Sequence, residues 1–345
     1  MRKWFNAVSG PGGGVFWMTV AGLGMLALTR AVYASITKID FAGKVVLITG
    51  GSRGLGLEMA RILASRGAKL AICARSPHQL GKAEQEIAAM GAEIIAFRAD
   101  LTDAQQADNL VASVVEHYGK LDILINNAGI MLVAPENLLE ISDYQQVMDA
   151  NLWSALYTMK AAIPHFRSQG EGRIVNICSI GGKIAVPHML PYSVSKFAMT
   201  GLSEGMAAEL EKDNIHVTTV IPNLMRTGSP RNITVKGQHQ QEYAWFKTAG
   251  SLPVLSQDSS RAARAIVQAV ASGASEVVLT PIGRMATAFQ GVAPQAVTAI
   301  ARLVNRFLPE SSNAAERRGY QSESKASKGM FTAETDEQAE KNNEL

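Results

Sequence analysis

Tyr192 and Lys196 stand four residues apart in Pro191-Tyr192-Ser193-Val194-Ser195-Lys196-Phe197-Ala198, a stretch whose pattern predicts a helix running on to Leu210. At that spacing a phenol and an ammonium share one helix face. A phenol exchanges its proton poorly near neutral pH, because its unperturbed pKa is about 10, and a nearby positive charge lowers it. The pair therefore predicts a general acid or base, with Lys196 favouring the phenolate of Tyr192. Ser179 lies thirteen residues upstream, at the end of an apolar run. Taken alone, Tyr-x-x-x-Lys also describes an exposed tyrosine beside a solvated lysine, so the surrounding elements must decide.

Near the start of the globular part, Lys44-Val45-Val46-Leu47-Ile48 is a short apolar run of the kind that forms a buried parallel strand. Thr49-Gly50-Gly51-Ser52-Arg53-Gly54-Leu55-Gly56 follows directly, and Leu57 to Arg66 is amphipathic with helical period. Glycines at 50, 54 and 56 suit a tight turn, close approach of backbone to a pyrophosphate, and packing of helix on strand. Strand, loop and helix come in the order that points a helix N-terminus at phosphates.

With these motifs together, the chain resembles the short-chain dehydrogenases/reductases. Asp100-Leu101 after the third strand, Asn126-Asn127-Ala128-Gly129 after the fourth, Asn151 in a helix, Ser179 after the fifth and the Tyr192/Lys196 pair all fall in that family's order, over Phe41 to Thr280. The resemblance implies that Ser179 hydrogen-bonds the substrate carbonyl or alcohol oxygen, Tyr192 exchanges the proton, Lys196 holds the nicotinamide ribose, and Asn151 supports a proton relay through water. The side chains suit these roles: a hydroxyl donates to a developing alkoxide, and an amide holds a water in one orientation. The implied cofactor-binding set is Gly50, Ser52, Arg53, Gly54, Leu55, Gly56, Arg75, Asp100, Leu101, Asn127, Ala128, Gly129, Tyr192, Lys196, Pro222, Asn223, Met225 and Thr227. Homo-oligomers built on the two long helices flanking the active site are usual in the family.

Charge distinguishes the cofactors. An acidic residue after the second strand would bind ribose hydroxyls and repel a phosphate, but the segment is Ala71-Ile72-Cys73-Ala74-Arg75-Ser76. Arg75 suits a 2'-phosphate, and in the resembled family an arginine at the position of Arg53 contacts the same group. NADP(H) is thus expected over NAD, and with it the reductive direction. In Val220-Ile221-Pro222-Asn223-Leu224-Met225-Arg226-Thr227 the family has glycine after the proline. Asparagine tolerates positive φ, so the turn is expected to persist.

The whole chain has 345 residues, 47% hydrophobic and 18% charged, enough apolar content for one large core with additions. Strands are expected at 44–49, 68–73, 93–98, 121–126, 173–178, 215–221 and 275–280 with helices between, giving an α/β fold: a doubly wound, Rossmann-like parallel sheet of about seven strands. The two cysteines, Cys73 and Cys178, lie in apolar strands and read as small buried packers in a reducing compartment. No histidine spacing suggests a metal, and His188 is expected at the active-site mouth. A net charge of +3 excludes an extended nucleic-acid surface.

A catalytic domain over 41–281 carries a substrate flap at 223–258 containing Tyr243-Ala244-Trp245-Phe246. Its aromatics either close over an apolar substrate or pack the flap down. With Met131, Leu132, Val186, Met189 and Leu190 they favour a lipid-, steroid- or retinoid-like carbonyl or alcohol. Residues 1–40 contain an apolar segment at 15–34, read as a membrane-embedded helix if Arg30 snorkels, since a span needs about 20 residues. That reading leaves the catalytic domain facing the cytoplasm. A secretory signal and a soluble helix packed on a partner are the rivals. A C-terminal amphipathic helix is expected within 282–309, lying on an anionic membrane, roofing the pocket or packing on the core. Residues 310–345 read as a flexible polar tail. The alternative function is a non-catalytic NADP-binding scaffold or redox sensor.

Overall fold

The computed structural model describes residues 37–252, 256–312, 315–329 and 332–345. Strands and helices alternate: β1 (Val45–Thr49), α1 (Gly54–Ser65), β2 (Lys69–Ala74), α2 (Pro77–Ala89), β3 (Ile94–Arg98), α3 (Ala104–Tyr118) and β4 (Ile123–Asn126) come first. Next are β5 (Leu132–Val133), α4 (Ile141–Met148), α5 (Ser154–Gln169), β6 (Gly172–Ile177), α6 (Leu190–Leu210) and β7 (Ile215–Ile221). The remainder holds β8 (Leu224–Arg226), α7 (Ser229–Asn232), β9 (Thr234–Val235), α8 (His239–Ser251), β10 (Ser256–Asp258), α9 (Ser259–Ala271), β11 (Glu276–Val278), α10 (Pro281–Val292), α11 (Pro294–Asn305), β12 (Arg317–Arg318) and α12 (Ala333–Lys341).

β-Branched, uninterrupted apolar runs such as Val45–Thr49 are buried along their whole length, as strands covered on both faces must be. Seven of them pair in parallel in the order β11-β7-β6-β4-β1-β2-β3, the expected doubly wound sheet. One face packs Leu57, Met59 and Leu63 of α1 with Ile266 and Val267 of α9, and the other packs Val111 and Val114 of α3 with Met159 and Phe166 of α5. The chain reverses between β3 and β4, so the carboxyl ends of β1 and β4 diverge into a crevice where such sheets bind ligands.

A buried polar layer lies under that crevice. Asn126 Nδ2 donates to Asn176 Oδ1 at 3.0 Å, Asn176 Nδ2 to Ser203 Oγ at 3.0 Å, and the Ser203 and Thr219 hydroxyls are 2.6 Å apart. β4, β6, β7 and α6 are thereby locked in register where they deliver the site. Cys73 and Cys178 are both free and buried.

Two features depart from the sequence expectations. The amphipathic region after β11 is two helices, because Pro294 breaks the run and the chain turns at Ala293 (φ −134°). The polar segment expected as a flexible tail is laid on the domain. β12 pairs antiparallel with β9, β9 pairs with β5, and α12 follows with Ala339 and Asn342 fully buried. Acidic side chains of this segment meet basic ones of the flap, which composition alone does not reveal. Segment 15–34 lies outside the described residues, and among those described no helix is long and apolar enough to cross a membrane.

Candidate active site

The glycine loop leaves β1 and enters α1 under tight steric limits. Gly54 has φ 55°, and a Cβ on Gly56 would stand 2.3 Å from the Gly50 carbonyl oxygen, so α1 rests directly on the loop. Thr49 and Asn127 fix the loop to the end of β4. Thr49 Oγ1 accepts from the amides of Asn127 (2.9 Å) and Ala128 (3.0 Å), while Asn127 Nδ2 donates to the carbonyls of Thr49 (3.0 Å) and Gly50 (3.1 Å). The expected cofactor residue Asn127 thus holds the cradle in shape, and Thr49, which the sequence did not single out, shares the work. The residues present fit a dinucleotide: the N-terminus of α1 has no side-chain cap from Arg53, the residue before it, and lies beside a tight glycine turn. Gly56→Ala is expected to weaken dinucleotide binding by more than about tenfold, through the displaced loop, while the fold survives. A binding titration checks it, and unchanged affinity would mean that the loop is not the cradle.

The catalytic candidates converge at the carboxyl end of β6. Ser179 follows β6 directly and its Oγ accepts from Gly181 N–H at 3.0 Å. Burial pushes the Tyr192 phenol up to about 12, against the opposing pull of the neighbouring Ser179 hydroxyl. Lys196 is buried, which pulls its ammonium down. Its Nζ donates to the Ile177 carbonyl at 2.9 Å and sits 5.8 Å from the centre of the Tyr192 ring. The expected lowering of Tyr192 by Lys196 is absent from this arrangement, where Ser179 alone pulls the phenol down.

Asn151 occupies a widened turn, Asp149–Trp153, with the wider hydrogen bonding of a π-helix, a distortion common at functional sites. Its side chain is engaged at both ends. Oδ1 accepts from Ile130 N–H at 2.7 Å, and Nδ2 donates to the Ile130 carbonyl at 3.0 Å and Ser195 Oγ at 2.9 Å. The amide thus shapes the backbone after Gly129. A Cβ on Gly129 would lie 2.8 Å from Asn151 Oδ1 and 3.8 Å from Lys196 Nζ, so the loop that braces the glycine cradle also touches the catalytic group. The glycine loop and the Tyr192/Lys196 cluster are contiguous.

At the adenosine end, Arg75 is exposed just past β2 and lines a cleft with Arg98, Ala99, Asp100 and Gln106. Asp100 Oδ1 accepts from Thr102 N–H and Oγ1, and Leu101 is buried. Arg53 Nη1 donates to Asn232 Oδ1 at 2.6 Å, and burial with the nearby charges of Arg75 and Arg318 pulls its guanidinium down. Arg318, in β12, is a further cation that no sequence motif announced.

On the nicotinamide side, Pro222 accepts from Ile180 N–H at 2.8 Å, Met225 packs on the core, and Thr227 Oγ1 accepts from Ser229 N–H at 3.2 Å. Asn223 is not among the non-glycine residues with positive φ, which are His188, Asn214 and Asn343 among those described. The proline turn persists without the left-handed conformation that the sequence reading invoked.

Around Tyr192 gather Met131, Val133, Val186, Met189, Ile233, Trp245 and Phe246. Leu132 is not with them. Strand alternation turns it into a separate cluster with Ala134 and Val147. Phe246 and Tyr243 are buried as packing, and Trp245 stays partly open. No sequence motif singles out Glu242, in α8. It is fully buried, and it receives His188 Nδ1 at 2.9 Å and Trp245 Nε1 at 2.7 Å. One carboxylate thereby orients both a histidine and a tryptophan on the pocket side.

A family model described as short chain dehydrogenase matches residues 44–236. A dehydrogenase/reductase SDR family protein 7-like of Anopheles gambiae is 32% identical over 80% of this chain and 90% of its own length. 11-beta-hydroxysteroid dehydrogenase 1A of Arabidopsis thaliana is 34% identical over 57% of each. Among solved structures, an NAD+-bound xylitol dehydrogenase superposes with a TM-score of 0.61 at 29% identity, covering 68% of this chain and 94% of that one. The chain belongs to the short-chain dehydrogenase/reductase family, oxidoreductases that act on alcohol and carbonyl groups with a nicotinamide dinucleotide.

Proposed function

We propose that this protein reduces the carbonyl of a mostly apolar substrate with NADPH, Tyr192 supplying the proton. The observation that carries the reading is the Tyr192 phenol next to the Ser179 hydroxyl and buried Lys196, packed with an apolar wall of Met131, Val186 and Met189. The nicotinamide, when bound, supplies the hydride. Ser179 donates to the substrate oxygen and fixes its position, and Tyr192 O–H, the shared partner of that hydroxyl, delivers the proton to the same oxygen as it becomes an alkoxide. Lys196 holds the ribose from its place under the ring, and Asn151 maintains the backbone at Ile130. A phenol held high by burial keeps its proton at neutral pH, as the reductive direction requires.

NADP is favoured over NAD by three cations, Arg53, Arg75 and Arg318, at the adenosine end of the crevice, where no acidic residue follows β2. The apolar wall, together with the name of the plant relatives, favours steroid-, retinoid- or lipid-like carbonyls over sugars. The test is turnover of NADPH and NADH against apolar ketones and aldehydes alongside aldoses. Faster turnover of sugars with NADH would overturn the substrate and cofactor assignments together.

Membrane association rests on the α10–α11 hairpin. Met285, Val292 and Phe307 are 72%, 86% and 81% exposed, Ile300 and Leu303 are open beside them, and Pro281 to Leu308 contains Arg284, Arg302 and Arg306 with no acidic residue. An apolar basic face of this kind suits an anionic lipid surface. The full chain is expected to cosediment more with anionic than with neutral vesicles, and Val292→Glu with Phe307→Glu is expected to remove that excess. An excess unchanged in the double variant would contradict the assignment. Exposed Trp153, Val194 and Phe197, at the start of α5 and on α6, favour self-association through those helices.

A further inference from the structure

The end of the chain lies across its own glycine loop. The Asn342 carbonyl accepts from Gly54 N–H at 2.9 Å, at the first turn of α1. Asn343, with φ 56°, turns the chain so that its Nδ2 donates to the carbonyls of Ser52 (2.9 Å) and Gln79 (3.0 Å). Glu344 then enters the crevice. Its Oε2 accepts from Gly228 N–H at 2.6 Å, its Oε1 accepts from Ser229 Oγ at 3.3 Å, and Oε1 lies 3.2 Å from where a Cβ on Gly54 would stand. A carboxylate thus occupies the space between the N-terminus of α1 and the turn after β8, held by a backbone N–H and a hydroxyl, donors of the kind a diphosphate uses.

The docking is built into the packing. A Cβ on Gly228 would stand 2.5 Å from Ala339 Cβ, so this glycine leaves room for α12. Ala339 and Asn342 are fully buried, and Glu344 is 4% exposed. Flap cations meet acids of α12: Arg226 with Glu334 at 2.7 Å and buried Lys247 with Asp336 at 2.6 Å. Arg61 on α1 holds Asn342 Oδ1 at 2.6 Å and the Lys341 carbonyl at 2.8 Å. Burial pushes the Glu344 carboxyl up to about 7 against the opposing pull of Gly228 N–H and Arg53. Its ionised form is therefore held at a desolvation cost, and a stronger anion can displace it.

We propose that residues 332–345 are a displaceable plug, so that tail docking and dinucleotide binding at the glycine loop exclude each other. This rests on the dinucleotide reading of that loop. The apparent cofactor affinity is lowered by the fraction of molecules that are plugged, and by linkage the cofactor drives the tail off. Release of the tail also uncovers the flap cations Arg226 and Lys247. The chain thereby carries a signal of cofactor occupancy on its surface.

The test measures NADPH binding by calorimetry and amide exchange of residues 333–345 in the full chain with and without NADPH. Glu344→Ala with Asn343→Ala, and separately a chain ending at Phe331, are expected to bind NADPH about tenfold more tightly if the plug is closed nine-tenths of the time. The point variants keep α12 and its buried contacts, so they report even if the shortened chain folds poorly. Tail amides of the unmodified chain are expected to be protected without NADPH and to exchange at least about tenfold faster when it saturates. Equal affinities in all forms, or tail protection unchanged by NADPH, would overturn the plug and leave the dinucleotide reading standing. Binding by none of the forms would overturn both.

Discussion

Tyr192→Phe is expected to lower kcat by about 100- to 10,000-fold, the usual worth of a positioned general acid, while the dissociation constant for NADPH stays within about twofold. The ring keeps its place against Val186 and Met189, and only the phenolic oxygen, the partner of Ser179, is lost. Steady-state kinetics and a binding titration on the same preparation separate the two effects. The result also decides against the scaffold alternative. A protein that keeps the fold only to bind dinucleotide would show no difference in its cellular role between tyrosine and phenylalanine. Retained turnover within about threefold would mean that the proton comes from elsewhere.

Arg75→Glu carries the second large effect. A hydrogen bond to a charged group contributes about 1.5–3 kcal/mol, so kcat/KM with NADPH is expected to fall by about 10- to 150-fold while that with NADH changes little or rises. Arg53→Ala should cost less, because Asn232 already pins that guanidinium. The two coenzymes assayed side by side give the ratio directly. An unchanged ratio would place the 2'-phosphate away from β2 and remove the charge argument for NADP.

The central sheet was legible because its strands are apolar, β-branched and evenly interleaved with helical periods. All seven expected strands form, within two residues of their expected ends. The glycine loop and the Tyr192/Lys196 pair were legible for a similar reason: each motif is local, so spacing alone places its members on one turn or one face. What failed was long-range. The partners of Asn151 and Lys196, the Ile130 backbone and the Ile177 carbonyl, come from other elements and no local spacing names them. Glu242 belongs to no motif, and only the fold brings His188 from a distant loop to it. The last stretch misled most. Its composition is that of a chain unable to bury enough apolar surface to fold alone, yet Glu334, Asp336 and Glu344 find Arg226, Lys247 and the Gly228 amide on the body of the protein. Order there comes from charge and backbone complementarity between segments about 100 residues apart, as the 116-residue separation of Gly228 and Glu344 illustrates, and no window along the sequence contains both sides.

The most direct test of hydride transfer at this site uses NADPH carrying deuterium at its transferable position, the full-length protein and an apolar ketone, with the product analysed by mass. One deuterium per alcohol formed, abolished together with product in Tyr192→Phe, is the predicted result. Tight NADPH binding with no deuterium in any carbonyl substrate would contradict the assignment of this site as a carbonyl reductase.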